Sequence, residues 1–359
     1  MTTATTRTPG ADPRARPHRP SGLWPGLGLC LLIAAGATLA GRLVPAFGAP
    51  LFAITAGAAV AMMWRVPDRF VPGLAFCSRP VLQASVVILG SGLAVTQVLA
   101  VGASSLPVLV GTLAVALLLA RPVGRALGLS ADLTDLVGVG TAICGASAIA
   151  AVDSVIDADD SDVSYAVATI FLFNVVALLT YPTLGRALGL SQHAFGLWAG
   201  TAINDLSSVV AASSIYGHAA TSQAVVVKLT RTLAIIPISV WLSATRGRRR
   251  DRGSVPLGPP TGGRAVVGTM RRAVPLFLLG FLAAAAINSA GLIPAGWHPG
   301  LSQTANGLIT VALAAIGLST RPAAMKAAGW RPLALGAVLW ASVGAASLLL
   351  QGFSAWAGI

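Results

Sequence analysis

Three ionisable side chains lie within long apolar runs: Asp205, Lys228 and Arg231. An ionised group in hydrocarbon costs on the order of 2.5–3.5 kcal/mol on insertion scales, so such residues mark a partner or a function. Lys228 and Arg231 stand at i and i+3 and share one helix face. Asp205 can neutralise one of them in a structural ion pair, which leaves one positive charge over. A surplus cation at membrane depth is expensive unless an anion visits it. Arg231 suits that task, because a planar guanidinium clamps an oxyanion with two parallel N–H bonds. Lys228 has a competing use: its long stem can carry the ammonium out to the membrane surface.

Neutral donors accompany these charges. Gly140-Thr-Ala-Ile-Cys-Gly-Ala-Ser147 is echoed by Gly200-Thr-Ala-Ile-Asn-Asp-Leu-Ser207. Gly, Ser, Thr and Asn interrupt a helix in mid-membrane, where freed backbone groups are tolerated only against protein or a polar cavity. Half-helix N-termini at such breaks aim N–H groups and positive dipole ends at an anion. Thr141, Ser147, Thr201, Ser207 and Ser208 add hydroxyls and Asn204 adds an amide. Cys144 and Gly145 complete the first break, Cys144 as a small packing residue rather than a reactive thiol. Close packing of small residues leaves the same signature, but finding it twice favours two broken segments. They are expected to meet near the bilayer midplane, with Gly145 close to Asp205. Asn174 can face this cavity or bond across helices. Asp132 and Asp135 read as helix N-caps before the first break, with Asp153 similar at its other end. His18, His193, His218 and His298 have no metal-ligand spacing. Neither a phosphate-binding P-loop nor a nucleophile elbow occurs. No enzyme, metal or cofactor is therefore expected.

Membrane helices must position these residues. The chain has 359 residues, 55 % of them hydrophobic and 10 % charged, with a formal charge of +13. A soluble domain carries about 25 % charged residues, so this composition indicates an all-α polytopic membrane protein. The basic residues sit between apolar runs, which points to topology and not to nucleic acid. Cys30, Cys77 and Cys144 show no CxxC spacing and argue against a disulfide framework. Apolar runs lie at roughly 24–41, 44–64, 81–97, 104–120, 133–152, 163–183, 194–214, 221–244, 273–292, 302–319 and 333–355. Read as eleven crossings with the N-terminus inside, they place 21 of the 24 Lys and Arg on the cytoplasmic side. Residues 1–22 read as a disordered cytoplasmic tail, 23–359 as one transmembrane domain, and 245–272 as a basic cytoplasmic loop with eight arginines.

The echo extends further back. Both Gly-Thr-Ala-Ile segments follow the heptad Gly-Arg-Ala-Leu-Gly-Leu-Ser, at 124–130 and 185–191. A weaker echo relates Gly92, Leu93, Pro107 and Gly111 to Gly317, Leu318, Pro332 and Gly336. Inverted repeats with interrupted helices characterise many secondary transporters. If both broken segments cross, they run in the same direction, which inversion does not predict. If both are re-entrant hairpins, they enter from opposite sides and inversion is restored. Only Arg186 and the acidic loop Asp157, Asp159, Asp160 and Asp162 change sides between these cases. The sequence therefore leaves open nine crossings plus two hairpins, or eleven crossings.

The segment Gly140–Ala151, the run Phe195-Gly-Leu-Trp-Ala-Gly-Thr-Ala-Ile-Asn-Asp205 with Val209-Val-Ala-Ala212, Val227-Lys-Leu-Thr-Arg231 and Ala315-Ile-Gly-Leu-Ser319 closely resemble the signature of the sulfate exporter family of bacterial inner-membrane proteins. The resemblance covers nearly the whole chain after residue 24. It implies kinship with the cation/proton antiporter and anion transporter superfamily, with inverted repeats and discontinuous helices. Members of the family usually carry His-Asp where this chain has Asn204-Asp205. The leading expectation is a plasma-membrane secondary transporter that exports a small anion, sulfate or sulfonate. The second is a cation/proton antiporter with Asp205 as carrier, its acidity tuned by Lys228 or Arg231. A non-transporting scaffold or sensor is third, because it leaves buried charges at broken helices without a use. The lipid bilayer is a partner in every case. A coupling proton or cation and a homodimer remain open.

Overall fold

The computed structural model describes residues 22–44, 48–64, 66–156, 158–234, 238, 276–319 and 329–357, with the side chains of 154, 155 and 354–357 left aside. The described residues are helical, with short turns between helices. The first are α1 (Trp24–Leu43) and α2 (Gly48–Met63). Next comes a continuous helix from Asp68 to Gly90. It opens with a 3-10 turn and contains α3 (Val71–Phe76), a π turn at Cys77–Val81 and α4 (Leu82–Gly90). The expected run 81–97 is corrected here. The helix runs from Asp68 to Gly90 with Pro80 inside it, where a π turn accommodates the missing N–H.

There follow α5 (Val95–Ala126), α6 (Ala131–Ala142), α7 (Ala146–Ile156), α8 (Asp160–Ala187), α9 (Gln192–Ala202), α10 (Leu206–Tyr216) and α11 (His218–Thr232). The chain closes with α12 (Leu276–Ser289), α13 (His298–Leu318) and α14 (Trp330–Ala357). Six stretches are long and apolar enough to cross a membrane alone: α1, Asp68–Gly90, α5, α8, Ala295–Leu318 and Trp330–Phe353. Within the described residues α2, α11 and α12 are shorter. Residues 1–21 of the expected tail and the 245–272 loop lie outside the described residues.

The duplicated heptad does the same structural work twice. At the end of α5 the N–H of Gly128 bonds Arg125 O and that of Leu129 bonds Gly124 O; at the end of α8 Gly189 bonds Arg186 O and Leu190 bonds Gly185 O. Gly128 and Gly189 take φ of 67° and 66°, the left-handed conformation that ends a helix and that glycine adopts without penalty. Ser130 and Ser191 then cap α6 and α9, accepting the N–H groups of Leu133 and Ala194 at 3.1 and 3.2 Å. Each repeat is thus a long helix, a tight reversal and a broken pair.

Both broken pairs fold back on themselves. A Cβ on Gly140 of α6 would lie 3.0 Å from Ile149 of α7. The Ser130 hydroxyl, just before α6, donates to Asp162 Oδ2 at 2.6 Å, just after α7. Phe195 near the start of α9 stacks on Tyr216 at the end of α10, ring centres 3.8 Å apart. The Tyr216 hydroxyl donates to Leu190 O. The runs 133–152 and 194–214 are therefore re-entrant hairpins and not crossings. Because α8 passes between them, they enter from opposite ends of the molecule, and the repeats are inverted. Arg186 consequently lies at the end opposite Arg125, and the start of α8 with Asp160 and Asp162 at the same end as Arg125.

The helices sort into two groups. One contains α1, α2, the Asp68–Gly90 helix, α12 and α13; the other contains α5 to α11 and α14. They meet chiefly where α2 and α13 touch α10 and where α12 touches α5. Glycines set the close approaches: Gly57 of α2 lies so near Gly317 of α13 that a Cβ on it would fall 2.5 Å from Ala314 O. Such small-residue contacts replace the hydrophobic effect, which does not favour association between helices in lipid.

Candidate functional site

The two hairpin tips meet inside the second group. The first tip is Ile143-Cys144-Gly145, where Gly145 has a φ of +71°. Its N–H bonds back to Gly140 O at 2.9 Å. The second tip is Ile203-Asn204-Asp205, extended at Ile203 and Asp205. A Cβ on Gly145 would lie 3.7 Å from Asp205 Cβ. The two Gly-Thr-Ala-Ile segments thus come together as their echo predicts.

Asp205 is the N-cap of α10. Its Oδ1 accepts the Ser208 N–H at 3.0 Å and its Oδ2 accepts the Ser208 hydroxyl at 2.6 Å. The carboxylate therefore sits on the positive end of a half-helix. Among the described residues it forms no ion pair with Lys228 or Arg231, and the structural pair is not made.

Helix α11 runs beside α9 because glycines admit it: a Cβ on Gly200 would fall 2.8 Å from Val227. That contact delivers Lys228 and Arg231 to the tips, where each is only 1 % exposed. Lys228 Nζ donates to Ile143 O and to Ile203 O, both at 2.8 Å. Arg231 donates from Nε to Ala142 O and from Nη2 to Thr141 O, the latter at 2.8 Å. These carbonyls lie at the C-terminal ends of α6 and α9, where helical partners run out and the dipole is negative. Lys228 does not snorkel. The two cations cap two buried half-helix ends.

Some polar capacity is left over. Arg231 Nη1 and both amide atoms of Asn204 are buried without a protein partner. Asn204 is held by its backbone, whose N–H donates to Asn174 Oδ1 at 3.1 Å; Asn174 bonds across helices. The first turn of α7 carries no acidic residue. Ser147 beside it is exposed, and Asp205 and Ser207 are half-buried. Cys144 is buried at the tip.

Other expected donors have different work. The Thr201 hydroxyl shares a 2.6 Å hydrogen bond with Ser347 of α14, and Thr141 contributes its carbonyl. Asp132 and Asp135 are not the N-caps of α6, since Ser130 holds that position; Asp135 pairs with Arg121 at 3.2 Å. Asp153 accepts the Ala158 N–H at 3.2 Å and closes the loop after α7. Sequence reasoning missed the contributions of Ile143, Ala142 and Ile203, because a carbonyl has no residue type to announce it. It also missed Gln192, whose amide oxygen accepts the Ala219 N–H at 2.9 Å and ties the start of α11 to that of α9.

Apolar helices, inverted repeats and two re-entrant hairpins that meet at their tips define an all-α polytopic membrane protein with a buried polar centre. The chain belongs to the family described as Conserved hypothetical protein 698, whose model matches residues 25–336. It is 42 % identical over 335 residues to a UPF0324 membrane protein of Streptococcus pyogenes serotype M6, covering 91 % of this chain and 96 % of the relative. A UPF0324 membrane protein of Streptococcus agalactiae serotype V is 39 % identical over 331 residues, and one of Streptococcus pneumoniae serotype 4 is 40 % identical over 335, each with the same coverage.

Proposed function

We propose that this protein is a secondary transporter that exports a small anion of the sulfate or sulfonate class across the plasma membrane, with its N-terminus in the cytoplasm. The observation that carries the reading is the charge at the tips: Lys228 and Arg231 are buried with no carboxylate partner among the described residues. Each half-helix end contributes about half a charge. The C-terminal ends of α6 and α9 and the Asp205 carboxylate are negative; the N-terminal ends of α7 and α10 are positive. With the two cations, the centre keeps roughly one positive charge. Arg231 Nη1 and the Asn204 amide are the buried side-chain donors left to meet an anion, and the first turn of α7, which carries no acidic residue, adds its positive dipole end. The resemblance to the sulfate exporter family agrees in substrate class.

One observation favours a second reading. Asp205 is half-buried where the two tips meet, a carboxylate placed to carry a proton or a cation. Melting of the purified protein separates the two. A ligand that binds only the folded state raises stability with its concentration. Saturable stabilisation by sulfate, sulfite or methanesulfonate over chloride supports the anion reading. Stabilisation by Na⁺ or Li⁺ alone, lost in Asp205→Asn, supports the antiporter and contradicts it.

A further inference from the structure

Lys228 is placed to do more than balance charge. Its ammonium bonds Ile143 O of the first hairpin and Ile203 O of the second, each at 2.8 Å. Ile143 and Ile203 are fully buried and Lys228 is 1 % exposed, so these carbonyls are out of reach of bulk solvent. Arg231 bonds carbonyls of the first hairpin alone. Among the described residues Lys228 is thus the side chain that bonds carbonyls of both tips. Unwound carbonyls and half-helix C-termini at a repeat interface are the groups with which transporters hold a coupling monovalent cation. A free ion held in this way makes the joining of two elements depend on its concentration. Here the cation is covalently attached to α11, and the packing of α11 on Gly200 fixes where its stem begins.

We infer that Lys228 is a tethered monovalent cation filling a carbonyl site between the two hairpin tips, so that the two tips assemble, and transport proceeds, without bound Na⁺, K⁺ or Li⁺. The statement about transport rests on the function proposed above; the statement about the site does not. Removal of the side chain should leave a site for a small monovalent cation or a primary alkylammonium ion.

The test is the melting temperature of the purified full-length protein in choline chloride, against equal NaCl, KCl, LiCl and ethylammonium chloride. Choline is bulky and has no N–H donor. The native protein should melt at the same temperature in all five salts. Lys228→Ala should melt several degrees lower in choline and recover part of the loss, saturably, with ethylammonium or one of the small metal cations. Saturable stabilisation of the native protein by Na⁺, K⁺ or Li⁺ would overturn the inference. So would a folded Lys228→Ala protein that melts alike in every salt. If Lys228→Ala does not fold, Lys228→Met keeps the stem volume and is judged by the same comparison, alongside the native protein's own result. A protein with this cation response but no anion flux in vesicles would refute the transport reading and leave the tethered cation standing.

Discussion

Arg231 holds two adjacent carbonyls with two different nitrogens, and that fork is what lysine lacks. Arg231→Lys keeps the charge but leaves one buried carbonyl unpaired, a loss of about 1–3 kcal/mol. Denaturant unfolding in detergent should show it, with weakened oxyanion stabilisation in the same protein. Asp205 makes a different forecast. Asn caps a helix about as well as Asp, so Asp205→Asn should change stability by less than about 1 kcal/mol. It also removes the carboxylate at the meeting tips, so affinity for sulfate or sulfite should rise. Asp205→Ala loses the cap and should cost about 1 kcal/mol more. Weaker anion binding in Asp205→Asn would mean that the carboxylate helps to hold the ligand.

The hairpins depend on glycines that let a reversal close against the preceding helix. A Cβ on Gly124 would fall 2.4 Å from Thr134, and one on Gly185 would fall 2.5 Å from Phe195. Gly124→Ala and Gly185→Ala should each cost about 1–3 kcal/mol by overpacking. Gly28→Ala in α1 meets open space and should be neutral or stabilising by about 0.5–1 kcal/mol. Equal melting of all three variants would show that the reversals do not rely on this contact. These elements also mark how far the sequence could be read. The repeat was legible because the heptad needs particular residue types: a left-handed glycine, a serine cap and a close-packing glycine. Asp205, Lys228 and Arg231 were legible because charge in an apolar run is costly. Whether the broken segments cross or return was not, because too few charges change sides to decide it. The partners of Lys228 and Arg231 were hidden as well, since backbone carbonyls accept the bonds and no side-chain pattern records them.

At the scale of the molecule, inversion puts the ends of the two repeats on opposite sides, and the proposed cytoplasmic N-terminus then puts Ala126 inside and Ala187 outside. Ala126 and Ala187 occupy equivalent exposed positions at the ends of α5 and α8. In a protein with Cys30, Cys77 and Cys144 replaced, an impermeant maleimide added to intact cells should label Ala187→Cys and spare Ala126→Cys. Equal labelling would contradict the re-entrant hairpins. A cysteine placed near Gly258 should likewise be spared if the arginine-rich 245–272 loop is cytoplasmic, as its charge leads us to propose. At the hairpin tips, half-helix ends of both repeats and two buried cations converge. Anion flux, as proposed, passes through that centre. The direct measurement is efflux of radiolabelled sulfate, sulfite and a small sulfonate from proteoliposomes carrying the native protein or folded Arg231→Ala. The native protein should show saturable efflux of at least one of these anions, reduced at least about tenfold in Arg231→Ala, the factor expected for about 1.4 kcal/mol or more of lost interaction. Undiminished efflux in Arg231→Ala, or cation/proton exchange abolished by Asp205→Asn in place of any anion efflux, would contradict it.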